Sequence, residues 1–213
     1  MLRLLIGVCT LALCGGQQLQ QDYQKINVSI YFESLCGDSR NFIINQLDPH
    51  WDDIKDYVNI HFVPFGKSMS LEQGTKFACQ HGSKECKGNR ILSCLLKNIP
   101  DQDLQVQYVR CFMDVYKYAT IDDKEIGQRC AEILNINILE IMQTCYQTKQ
   151  GTQLQLEAEA ETNIIKPTFV PTIVYNGVFD QQLQDASIEN FRSTVCQVIQ
   201  LELNRNCTYR IVI

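Results

Sequence analysis

Ile26-Asn27-Val28-Ser29-Ile30-Tyr31-Phe32 runs straight into Glu33-Ser34-Leu35-Cys36-Gly37-Asp38-Ser39, and this stretch decides the fold. Its first seven residues alternate and are rich in β-branched and aromatic side chains, which predicts a strand. Beyond Ser39, Phe42, Ile43, Ile44 and Leu47 recur at helical spacing, with a stop expected near Pro49. Val58-Asn59-Ile60-His61-Phe62-Val63-Pro64-Phe65 then reads as a second strand. Strand, helix, strand at this spacing is a βαβ unit with parallel strands and a right-handed crossover. Cys36 therefore falls where a strand ends and a helix begins. The first N–H groups of that helix lack internal partners and carry partial positive charge, which favours a thiolate beside them.

Outward from this unit the pattern changes. From about residue 66 to 161 the β-branched runs vanish, and six cysteines appear among helical patterns. Tyr108, Val109, Phe112, Val115 and Tyr116 fit one helix face and read as core. Cys130, Ile133 and Leu134, then Ile138, Ile141, Met142 and Cys145, suggest further helices, as does 154–160. The β pattern resumes at Phe169-Val170-Pro171-Thr172-Ile173-Val174-Tyr175, followed by an Asn176-Gly177 turn and the expected start of another strand at Val178-Phe179. An amphipathic helix is expected over 187–203. The stretch 66–161 thus reads as a helical insertion within one α/β domain spanning 26–213.

The 213 residues are 45% hydrophobic and 20% charged, which fits a folded domain and excludes a disordered or fibrous chain. Net charge is −5 and there is no basic tract, so no electrostatic grip on nucleic acid or anionic lipid is expected. Eleven cysteines point to an oxidising compartment or a metal site. Arg3, the apolar run 4–13 and Gly15-Gly16 read as a secretory leader over residues 1–16, with a polar lead-in over 17–25. No other apolar run reaches membrane-spanning length. Asn27-Val28-Ser29 and Asn206-Cys207-Thr208 are candidate glycan acceptors at Asn27 and Asn206.

Removal of the leader takes away Cys9 and Cys14 and leaves nine cysteines, an odd number. The reading adopted is that Cys36 is the free thiol. Cys79, Cys86, Cys94, Cys111, Cys130, Cys145, Cys196 and Cys207 then form structural bridges, with the pairing left open. A zinc site from Cys79, Cys86, Cys94 and His81 is the alternative, set below disulfides for a secreted chain; no metal and no cofactor are expected. His50 is expected at the surface and His61 in the sheet. Lys84, Lys87 and Arg90 are expected to form a solvated basic face.

This order of elements, with Cys36 at a strand–helix junction and Val170-Pro171-Thr172 entering a late strand, resembles a thioredoxin-like fold with a disulfide-rich helical insertion. The resemblance implies a cis proline at Pro171 beside the reactive cysteine, where the backbone can pair with an extended substrate. A second pattern narrows it. Cys79-Gln80-His81-Gly82, then Glu85-Cys86, Asn89 and Cys94, resembles the signature of the gamma-interferon-inducible lysosomal thiol reductase (GILT) family. The likeness extends from about Ile26 to Val198. It implies reduction of protein disulfides in acidic endocytic compartments by a Cys-x-x-Cys pair, and placement outside the cell or in lysosomes.

The chain departs from that pattern at one position. Cys36 matches the first active-site cysteine, but Ser39 stands in place of the second. A hydroxyl cannot attack a mixed disulfide as a thiol does. The expectation is therefore a thiol–disulfide oxidoreductase relative whose two-cysteine reaction is disabled or much weakened, with monothiol exchange or substrate capture left to Cys36. Its partners would be a disulfide-containing protein and an external small thiol. The alternative is a non-enzymatic secreted glycoprotein that binds a protein or cell-surface partner. Ser39 is expected to donate a hydrogen bond to the Cys36 thiolate, and Asp38 to oppose that charge.

Overall fold

In the computed structural model, residues 24–116 and 125–207 are described. The predicted leader, most of the lead-in and Thr208 of the second sequon lie outside them. Strand β1 (Ile26–Phe32) pairs in parallel with β2 (Val58–Pro64), from Ile26 opposite Val58 to Phe32 opposite Pro64. On its other edge β1 pairs antiparallel with β5 (Thr172–Tyr175), giving the order β2-β1-β5 with β1 in the centre. The two-residue period of β1 explains its position. Ile26, Val28, Ile30 and Phe32 point to one face and are buried in the main core, while Tyr31 joins Val63, Phe65, Ala158 and Val174 on the other.

Between the turn after β1 and the turn before β2 the chain is helical from Gly37 to Ile54. Helix α1 (Gly37–Phe42) passes through a π turn (Ile43–Leu47) and a 3₁₀ turn (Asp48–His50) into α2 (Trp51–Ile54). Pro49 was expected to stop this run and does not. It lies in the first turn of a new helical segment, where a missing N–H costs nothing.

After β2 comes a feature the sequence reading missed: a short antiparallel ribbon of β3 (Met69–Leu71) and β4 (Lys76–Ala78). Its strands are three residues long, too short for a period-2 pattern to register. Helices α3 (Ser83–Asn98), α4 (Gln102–Val115), α5 (Gln128–Ile133), α6 (Ile138–Ile141) and α7 (Lys149–Ile165) follow. Tyr108, Phe112 and Tyr116 are buried in the same core as β1 and β2, so the helical region and the sheet share one apolar interior. Arg90 does not belong to a solvated basic face. Its guanidinium is half-buried and donates to the Tyr146 and Thr148 carbonyls and to the Thr152 hydroxyl at 2.6–2.9 Å.

The strand expected after Asn176-Gly177 is not formed. Val178 makes one isolated bridge back to Tyr175, and α8 (Gln181–Leu203) begins three residues later, ahead of the expected start at 187. The Asp180 side chain caps it by accepting from the Leu183 amide. Helix α8 breaks at Asn190 (φ −152°, ψ 83°). The Gln46 side chain fills the break, accepting from the Phe191 amide at 3.2 Å and donating to the Glu189 carbonyl at 3.0 Å.

Candidate active site at the mouth of helix α1

Cys36 is the N-cap of α1, with extended backbone (φ −69°, ψ 124°). Its carbonyl accepts from the Arg40 amide, and its sulfur accepts from the Ser39 amide at 3.5 Å. The helix-mouth geometry is that of a capping side chain in which sulfur replaces the usual oxygen. The expected donor from Ser39 is corrected here. It is the backbone N–H that points at the sulfur, while the Ser39 hydroxyl accepts from the Glu33 amide at 3.4 Å. Ser39 is fully buried and Asp38 is exposed. Exposure of the Asp38 carboxylate places much of its field in water.

The Val170–Pro171 peptide bond is cis, and the Val170 carbonyl lies 3.6 Å from Cys36 Sγ, where the thiol can donate to it. Cys36 is 7% exposed. The proline loop is held by a residue the sequence reading did not single out. Gln184, buried on α8, donates to the Pro171 carbonyl at 2.9 Å and accepts from the Ile173 amide at 2.7 Å. Nothing in the sequence distinguishes Gln184 from the exposed glutamines around it. Next to the site, Phe169 and Ile188 line two adjoining hollows, one reaching Asp38 and Phe42 and the other Phe179 and Pro167.

The loop before Cys36 is fastened to the start of α3. Asn89 Oδ1 accepts from the Ser34 amide at 2.9 Å, and the Ser34 hydroxyl donates to the Glu85 carbonyl at 3.0 Å. Gly88 makes this approach possible, since a Cβ there would sit 2.4 Å from Ser34 Oγ. Glu85 accepts from both the His81 amide and its ring Nδ1. His81, Glu85 and Asn89 all belong to the pattern quoted above. Read in sequence they are structural; in space they hold the loop that carries Cys36.

The remaining cysteines pair as Cys79–Cys86, Cys94–Cys145, Cys111–Cys130 and Cys196–Cys207. Cys79, Cys86 and Cys94 are therefore not thiolate ligands, and the zinc alternative built on them with His81 does not hold. Among the described residues Cys36 is the free cysteine. His50 is partly exposed. His61 is exposed on β2 and pairs with Glu161 at 2.7 Å. Asn27 lies exposed on β1, its Oδ1 accepting from Asn59 Nδ2 at 3.2 Å, and Asn206 is exposed beside the bridged Cys207.

Comparison with known proteins bears on this arrangement. A family model described as "Gamma interferon inducible lysosomal thiol reductase (GILT)" matches residues 27–134. The chain is 37% identical over 197 residues to "GILT-like protein 1" of Drosophila melanogaster, covering 86% of this chain and 78% of that protein. It is 31% identical over 204 residues to the "Gamma-interferon-inducible lysosomal thiol reductase" of Carassius auratus, covering 92% and 78%. Among solved structures, the DsbA of Chlamydia trachomatis superposes with a TM-score of 0.59 at 14% identity, over 85% of this chain and 88% of that one. The fold is thus thioredoxin-like, of the DsbA kind.

Proposed function

The chain belongs to the gamma interferon inducible lysosomal thiol reductase family, and from this premise we propose that it acts through Cys36 alone, as a monothiol that captures or exchanges protein disulfides. The observation that carries the reading is Ser39. It is buried at the first turn of α1, three residues from the only free sulfur among the described residues. The chemistry runs in balanced steps. The Cys36 thiolate attacks one sulfur of a substrate disulfide. A Cys36–substrate S–S bond forms as the substrate bond breaks, and the departing thiolate takes a proton from water. The Ser39 hydroxyl cannot attack this mixed disulfide. A small external thiol can attack it, freeing the second substrate thiol. A second equivalent then regenerates Cys36 and leaves as the oxidised small disulfide.

The substrate class is a disulfide-bearing protein presenting an extended segment to the Val170–Pro171 backbone. The predicted leader and the four bridges support a secretory route, to the exterior or to lysosomes, with glycans at Asn27 and Asn206. Among the described residues, no helix is long and apolar enough to cross a membrane. A second reading rests on the 7% exposure of Cys36. A thiol this covered suits a scaffold that binds a protein or cell-surface partner without exchanging disulfides.

Incubation with a model protein disulfide, followed by acid quench and mass spectrometry, separates the two readings. The monothiol reading expects a covalent adduct on Cys36 that is absent from Cys36→Ala. Absence of any adduct in the wild type, with partner binding equal in both proteins, would favour the scaffold.

A further inference from the structure

Glu33 follows directly on β1 and Glu85 sits in the first turn of α3, and both side chains are completely buried. Each carboxylate uses one oxygen on a backbone amide. Glu33 Oε1 accepts from Lys67 at 2.6 Å, and Glu85 Oε1 accepts from His81 at 3.0 Å. The two remaining oxygens face the His81 ring, whose Nδ1 lies 2.5 Å from Glu85 Oε2 and 3.4 Å from Glu33 Oε2. One ligand atom from each of the three residues falls within 4.8 Å of the others. Glu33 Oε2 is buried, yet among the described residues it has no hydrogen-bond partner. An oxygen left unpaired in the interior is costly, and here it is aimed at a second carboxylate and an imidazole.

The surroundings hold these donors in place. Gly66 leaves room for the Glu33 carboxyl, because a Cβ there would lie 2.3 Å from Glu33 Cγ. His81 and Glu85 both fall inside the loop closed by Cys79–Cys86, so the bridge fixes two of the three donors beforehand. The two amide contacts orient the carboxylates as outer-shell partners orient metal ligands. The His81 side chain is 40% exposed, which gives a way in from solvent. Two carboxylates and one imidazole suit zinc, whereas calcium and magnesium take oxygen ligands. Tetrahedral zinc with bonds of about 2.0–2.2 Å spaces its donors about 3.3 Å apart. His81 Nδ1 and Glu33 Oε2 already stand at that spacing.

We propose that Glu33 Oε2, Glu85 Oε2 and His81 Nδ1 bind one zinc ion, with water in the fourth position on the exposed side of His81. Any proton on these three atoms passes to solvent as the ion enters, and no sulfur ligand and no electron transfer are involved. The cation neutralises both carboxylates where burial makes their charge costly. It ties the end of β1 to the start of α3, and it stabilises the fold by binding the folded chain alone. This donor set differs from the cysteine set excluded above, and it stands whether or not Cys36 exchanges disulfides. The charged groups facing Glu33 are Lys67 after β2, and His81 and Glu85 around the start of α3. Protons compete with the metal for its donors, so the site fills near neutrality and empties in acid.

The test is titration of the chelator-treated, tag-free protein with zinc chloride at pH 7.4, read by calorimetry and by melting temperature. The wild type should bind one zinc per chain and melt at a higher temperature with it. His81→Asn changes a partly exposed side chain and should weaken binding by more than about tenfold, as should Glu85→Gln. His61→Asn removes the exposed imidazole paired with Glu161 and should leave binding unchanged. No binding by the wild type, or equal binding by the wild type and His81→Asn, would overturn the site. Calcium chloride should not move the melting temperature, and a shift equal to that of zinc would overturn the zinc assignment. Should Glu85→Gln not fold, X-ray absorption of the zinc-loaded wild type decides. Oxygen and nitrogen ligands including one imidazole support the site. Sulfur ligands would place the metal on Cys36 or an opened bridge and overturn it.

Discussion

Gln184 and Pro171, thirteen residues apart, are joined by a hydrogen bond of 2.9 Å from the glutamine amide to the proline carbonyl, one residue along from the Val170 carbonyl that lies 3.6 Å from the Cys36 sulfur. The other end of the same amide group takes the Ile173 N–H, so one buried side chain satisfies the loop's carbonyl and an amide of β5 together. Gln184→Ala should leave both groups unpaired in a buried place. Each orphaned group costs about 1–3 kcal/mol, so the urea midpoint should fall by an amount equivalent to about 2–6 kcal/mol. Cys36 alkylation should quicken as the proline loop slackens. An unchanged midpoint would mean water replaces the amide without penalty.

Glycine substitutions give a graded series. Gly66→Ala forces a Cβ to within 2.3 Å of Glu33 at φ +59°, and should destabilise by well over ~1 kcal/mol. Gly177→Ala carries a positive φ of +78° but meets no atom within 4 Å, so its cost should be the backbone strain alone, about 1 kcal/mol. Gly37→Ala has neither handicap and should be neutral or slightly stabilising in the first turn of α1. Thermal melts of the three variants test the order. Equal effects at Gly66 and Gly177 would show that the Glu33 side chain yields freely.

Ser39→Cys should restore the missing second thiol. The first-turn position lies three residues along α1 from Cys36, and an intramolecular attack gains orders of magnitude over an external thiol at millimolar concentration. The mixed disulfide that accumulates on the wild type should become transient, and reduction of an insulin-like substrate near pH 5 should proceed once the cysteine pair is recycled by a reductant. Persistence of the adduct in Ser39→Cys would mean that the buried site does not let the new sulfur reach the bond.

The four bridges should not be equal. Cys94–Cys145 spans 51 residues with both sulfurs in the core, whereas Cys79–Cys86 spans seven and is partly exposed. Mild reductant with mass mapping should open Cys79–Cys86 first. Replacing Cys94 and Cys145 by alanine should cost about 2–5 kcal/mol, and more than replacing Cys79 and Cys86. The reverse order of reduction would contradict the burial argument.

The elements around Cys36 were legible because each carries its period in sequence. Alternation over 26–32 placed β1, and apolar spacing over 42–47 gave the helical run after it. What failed to show were groups whose role depends on distant partners. Glu33 looks like any polar residue after a strand, yet it is fully buried because Gly66 leaves room and His81 lies across from it. Gln184 is one of several glutamines, and only the fold puts it under Pro171. Pro49 was misread because a helix stop and a first-turn proline look alike in sequence. The Ser39 hydroxyl was aimed at the sulfur, but the helix turn points its amide there instead.

The most direct measurement is a count of substrate thiols released per protein molecule, with a protein disulfide in excess, at acidic pH and with no small thiol present. The monothiol account predicts a burst of one thiol per Cys36, with one covalent adduct on that residue, and then a halt until small thiol is added. Release of two thiols per protein molecule, with no adduct left on Cys36, would contradict it, because resolving the mixed disulfide without added thiol requires a second sulfur where Ser39 stands.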